Sequence, residues 1–230
     1  MLRIFEPCYL CGKPCDPTRF RDHVPPKGVF PKGLRQDLIT IPCCEKCNHA
    51  NHKSDEFFRL FVSLGVHRSP TAQASWKQVV ESTLAEKRLP REIARLTSKM
   101  TPFQLPDGQL AYKSYQKTRP INLQLIRITK GILRREYPDL NYFGYEWFAR
   151  HFDQLKMHAT IQHLVSLAKF EFVERGEGSW RCFHGMAVDK PDMGMWVHIF
   201  HDSQAFIVMH QIRDPKHRRK TSIEWFHSLL

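Results

Sequence analysis

The chain changes its hydrophobic rhythm part-way along. Over residues 47–64 apolar positions recur at helical spacing, with Phe57, Leu60, Phe61 and Leu64 on one face and Asn48, His52, Asp55 and Arg59 on the other. Gly65 follows as a C-terminal cap, so the pattern predicts one helix that packs with one face and carries a polar face behind it. A second helical stretch covers residues 69–100, broken at Pro90. A third covers 120–137, with Leu125, Ile128 and Ile132 on its apolar side and Arg127, Lys130, Arg134 and Arg135 as the cations along it. A further helix is expected over 145–159. Beyond residue 167 the period approaches two: AKFEFVER, SWRCFHGMAV, MWVHIFH and QAFIVMHQI read as four strands joined by the turn signals GEG and HDS, an antiparallel meander.

The first 58 residues read differently. PPKGVFPKG (25–33) must be a loop, because its prolines and glycines suit neither helix nor ladder, and DLITI (37–41) is β-branched enough for a short strand. Residues 101–118 look irregular, with a short hairpin around PDGQ. The expected fold class is therefore α+β. A small N-terminal domain, residues 1–58, precedes a domain of helices packed on an antiparallel sheet, residues 59–230.

Composition narrows the setting. A hydrophobic fraction of 42% with 16 phenylalanines supplies a real core in 230 residues. No apolar run reaches membrane-spanning length, and the start, MLRIFEPCYLCG, lacks a signal-type apolar region, so a cytoplasmic protein with no membrane partner is expected. The net charge of +12 is uneven: nine basic against seven acidic residues before position 59, and 26 against 16 after it. Such an excess favours an anionic polymer, DNA or RNA. The segment RDPKHRRK (213–220), with Lys216, Arg218, Arg219 and Lys220, is expected to form an exposed cationic edge for it. A protein partner docking on the second domain is the other use of that part of the chain.

Six of the seven cysteines fall before residue 48, which is unlike a disulfide scaffold and suits thiolate ligands. Cys8-Tyr-Leu-Cys11 and Cys44-Glu-Lys-Cys47 are two C-x2-C pairs, each able to form a knuckle presenting two thiolates to one tetrahedral Zn²⁺. Gly12 suits the turn of the first knuckle. Cys15 and Cys43 are expected to be packing residues, and Cys182 a buried thiol in a strand. Four thiolates leave no open position, so such a zinc is structural and any chemistry lies elsewhere.

The stretch CYLCG…RDHVPPKGVFPKG…DLITIPCCEKCNHANHKSDEFFR, over about residues 5–60, resembles the HNH endonucleases, the ββα-metal nucleases with a four-cysteine zinc. The resemblance implies a β-hairpin carrying Asp22 and His23 that faces a helix across one divalent ion, clamped by the zinc. It makes His23 the general base that takes a proton from the attacking water. It makes Asp22 and Asn48 ligands of a catalytic Mg²⁺ or Mn²⁺ acting as Lewis acid, and it aligns Asp37 with the family's middle residue, usually Asn. Asp can accept but not donate hydrogen bonds there, and a carboxylate beside His23 would favour the imidazolium. His52 is a further ligand candidate, and Lys53 and Arg59 are candidates for phosphate contact. The implied activity is hydrolysis of DNA phosphodiesters leaving 5′-phosphates. The alternative is a non-catalytic zinc module that binds nucleic acid or docks a protein.

Overall fold

The computed structural model describes residues 5–63, 69–85, 94, 100–104, 110–114, 119–151, 170–187 and 190–212. Two very short strands, β1 (Glu6–Pro7) and β2 (Pro14–Cys15), pair antiparallel and pinch the first cysteine pair into a tight turn. Inside it the Gly12 N–H donates to the Cys8 carbonyl at 2.8 Å, with Gly12 at φ +72, a conformation that favours glycine. Strands β3 (Arg21–His23) and β4 (Thr40–Pro42) form the next hairpin, with Asp22 opposite Ile41 and His23 opposite Thr40. Its long connection makes two 3-10 turns, Lys27–Val29 and Lys32–Leu34, as its Pro/Gly content required. The expected strand over 37–41 starts later than its β-branched residues suggested, because Asp37 takes a left-handed turn at φ +56.

The single helix expected over 47–64 is two, α1 (Glu45–Ala50) and α2 (His52–Val62). The cause is Asn51. Its side-chain amide donates to the Cys47 carbonyl at 2.6 Å, the acceptor its own backbone N–H would take in a continuous helix. That N–H turns instead to Asn48 and His49. Beyond α2 come α3 (Pro70–Ala85), the hairpin β5 (Met100–Gln104)–β6 (Leu110–Ser114), and α4 (Arg119–Glu136).

The large sheet has five antiparallel strands in the order β7-β11-β10-β9-β8: β7 (Tyr145–His151), β8 (Glu171–Arg175), β9 (Trp180–Ala187), β10 (Lys190–Phe200) and β11 (Gln204–Ile212). The meander β8 to β11 matches the alternating pattern. Residues 145–151, expected as the start of a helix, are instead an edge strand paired along β11, with Tyr145 opposite Ile212 and His151 opposite Phe206.

Helix α4 joins the two parts. On one side Gly131 lies against Val24, and a Cβ at that glycine would come within 2.6 Å of a Val24 methyl. On another side Thr129 Oγ1 lies 2.8 Å from His198 Nε2, while the Trp180 indole N–H donates to His198 Nδ1 at 3.4 Å. That fixes the proton on Nε2, which donates to Thr129, whose hydroxyl donates onward to the Leu125 carbonyl. Phe58 of α2 packs edge-on against Phe200 of β10, and Phe61 packs at a tilt against Phe206 of β11. One cluster of buried side chains accordingly runs from Cys8 and Tyr9 through Phe58, Leu125 and Ile128 to Trp196 and Val208, crossing position 58 without a break.

Candidate functional site

The cysteine pairs converge. The ligand sulfurs of Cys8, Cys11, Cys44 and Cys47 all lie within 4.8 Å of one another. Tetrahedral zinc with bonds of ~2.3 Å needs sulfurs about 3.8 Å apart, and Cys11 and Cys44 stand 3.7 Å apart. These four residues fit a metal such as zinc. Local backbone explains the convergence: the β1–β2 knuckle presents one pair, and the second pair brackets the first turn of α1, with Cys44 as its N-cap. Cys43 is fully buried with its sulfur 4.0 Å from that of Cys8, directly behind the group. Cys15 is buried and donates to the Glu6 carbonyl, and Cys182 is fully buried.

The hairpin carries Asp22 and His23 side by side, but alternation along the strand sends them to different surroundings. Asp22 is buried. Arg127 of α4 grips it bidentately: Nε donates to Oδ2 at 2.8 Å and Nη2 donates to Oδ1. The Tyr9 hydroxyl also donates to Oδ2. The same guanidinium reaches Asp55 of α2 through Nη1, and Gln124 bridges Asp55 and Ser54. Three cation-borne hydrogens and a phenol thus satisfy two carboxylates inside the protein. Burial and the Asp22 charge hold the Tyr9 phenol well above its usual range, so it stays a donor.

This arrangement bears on the divalent ion that the resemblance implies. Asp22 is the expected hard ligand, yet both its oxygens are taken and a cation already sits on it. Asn48, on α1, is half-buried and its amide makes no hydrogen bond among the described residues. No hydrogen bond joins it to Asp22. As arranged, these residues do not fit an Mg²⁺ or Mn²⁺ held by Asp22. The polar face expected behind the helix is split as well: His52 is exposed, whereas Asp55 turns inward to Arg127.

His23 is half-buried, with no hydrogen-bond partner among the described residues. Burial moves its pKa below the usual value; the charges of Lys27 and Arg35 add to the shift, and Asp22 opposes it. Asp37 is exposed and does not contribute, so the imidazolium-favouring carboxylate expected at that position is not at work. The imidazole is neutral at pH 7, with a lone pair available. Lys27 and Arg35 give no sign of this role in the sequence, because both sit in the loop, where spacing carries no signal. Arg59 is half-buried on α2, with its Nε buried and unpartnered. The side chain of Lys53 and all of residues 213–220, with Lys216, Arg218, Arg219 and Lys220, lie outside the described residues. No helix among the described residues is long and apolar enough to cross a membrane. Compared with known proteins, the chain matches no protein-family model, no curated protein and no solved structure.

Proposed function

We propose that this chain is a zinc-stabilised phosphodiester hydrolase acting on DNA, with His23 as general base. The observation that carries the reading is His23 itself: a neutral, unpartnered imidazole on a hairpin next to the four-cysteine group, flanked by cations. In the proposed step His23 takes a proton from a water as the water oxygen bonds to phosphorus. The bond from phosphorus to the 3′ oxygen breaks, that oxygen takes a proton from solvent, and the product carries a 5′-phosphate. Lys27 and Arg35 keep the imidazole unprotonated before substrate binds. A bound phosphate neutralises them and so tolerates the imidazolium once it forms.

A second reading, a non-catalytic zinc module that binds nucleic acid, draws on the Asp22–Arg127 pair, since a carboxylate so engaged needs no catalytic ion to explain it. Zinc-loaded protein incubated with plasmid, with and without added Mg²⁺ or Mn²⁺, separates the two. The hydrolase reading expects nicking or linearisation that His23→Ala lowers by ~10²–10⁴-fold. Binding without cutting under all these conditions would establish the module instead.

A further inference from the structure

Two guanidinium groups on or against the loop that follows His23, those of Arg35 and Arg59, make no ion pair with an acid among the described residues. Arg59 lies along the first 3-10 turn of the loop, where Gly28 makes room for it: a Cβ at Gly28 would stand 3.1 Å from Arg59 Cδ. Its Nε is buried and has no hydrogen-bond partner. Arg35, at the end of the same loop, donates from Nε to the Phe30 carbonyl at 3.0 Å, which sets the direction of its fork. Its terminal nitrogens have no acceptor among the described residues. Burial disfavours the charge of Arg59, the charge of Arg35 adds to this, and Glu56 is the carboxylate that favours it. Among the other described arginines, Arg127 and Arg181 each engage two acids, whereas Arg175 also has a buried Nε without a partner. Arg35 also acts on His23, as does Lys27.

Buried N–H groups of a cation are normally satisfied, and like charges are normally kept apart. A pair that departs from both rules, with one member acting on a free imidazole, is explained by an anion that the pair is built to bind. We propose that Arg35, Arg59 and Lys27 form a subsite that holds one phosphate of a nucleic-acid backbone beside His23. The inference takes its choice of ligand from the hydrolase reading, but its geometry stands on the two arginines. Guanidinium forks match phosphate oxygens bidentately, and the position beside His23 puts that phosphate within reach of the base.

The test uses the full zinc-loaded chain and a fluorescein-labelled DNA duplex, with anisotropy read across a salt series and inorganic phosphate as competitor. Arg35→Gln and Lys27→Gln, singly and together, should weaken binding, by at least ~10-fold for the double variant. They should also reduce the slope of log K against log salt by up to ~0.9 for each phosphate no longer neutralised. Inorganic phosphate should compete with duplex for the parent protein and no longer for the double variant. Arg59→Gln should behave likewise. Because Arg59 also packs on Gly28, its zinc content and urea midpoint are measured alongside, and the Arg35/Lys27 double variant carries the test if Arg59→Gln fails to fold. Unchanged affinity and salt slope in that double variant would overturn the subsite, whether or not the parent protein cuts. If the parent never cuts, yet binding still depends on Arg35 and Lys27, the subsite stands and the hydrolase reading falls.

Discussion

Replacing Arg127 with Met should be the most damaging single change outside the cysteines. The guanidinium is buried, and its partners Asp22 and Asp55 have side chains 6% and 25% exposed. Removing one member of a buried, hydrogen-bonded ion pair costs about 3–5 kcal/mol, because the remaining charge is left uncompensated. Here two acids lose their cation. Asp22 keeps only the Tyr9 hydroxyl and bears the full penalty, whereas Asp55 is partly solvated and adds less, so ~4 kcal/mol is a fair central value. With a urea m value of ~2–3 kcal/mol per molar, the midpoint should fall by ~1.3–2 M. Asp22→Asn in the Arg127→Met background should restore at least half of that stability, since an amide can be buried opposite Met without an orphan charge. A double-mutant cycle followed by tryptophan fluorescence and far-UV circular dichroism measures the coupling. A midpoint shift below ~0.5 M, or a coupling energy near zero, would show that the pair is solvated in solution and that its burial does not set its energy.

Other consequences can be checked more briefly. Mass spectrometry under native conditions should find one zinc per chain. Cys11→Ser or Cys47→Ser should abolish both metal binding and the urea transition, and either variant retaining stoichiometric zinc with four-sulfur absorption-edge features would refute the ligand set. His198, His201 and His210 are buried, and burial pushes their pKa values down to about 3, 4 and 4. The unfolded chain takes up protons on them near pH 6.5 while the folded chain does not. The stability they carry is therefore complete above about pH 6.5 and lost as pH falls toward 4, at up to ~1.4 kcal/mol per pH unit for each. Imidazole resonances of these three that titrate above about pH 6 in the folded protein would contradict this. Gly131→Val should destabilise by an overpacking cost of ~1–3 kcal/mol, through its clash with Val24, and a stability equal to the parent's would show that the two elements do not touch.

The sequence was most legible where the signal is local. Alternation named the strands β8 to β11, the 3.6 period named α4 within a residue, and C-x2-C spacing named the four sulfurs that come together. It was least legible where distant residues decide. YEWFARH is short and aromatic, fits either period, and becomes a strand because β11 offers it an edge. Asn51 breaks the helix through a side-chain bond no periodicity registers. Asp22 is an ion ligand only by the family resemblance; its partner in the fold, Arg127, lies 105 residues away and looks like one of several cations on a helix face. Lys27 and Arg35 come to His23 only through the path of a loop.

The grip of α4 on the hairpin has a consequence for how this molecule could be taken apart or reused. A piece ending near residue 58 would retain all four ligand cysteines and Asp22, but would expose Tyr9, Phe58 and a carboxylate stripped of its cation. The four-cysteine segment is thus a poor candidate for transplantation as a cassette. Conversely, a single helix ties the sheet to the hairpin, since Thr129 and Arg127 are two residues apart on it, one bonded to the sheet and the other to the hairpin.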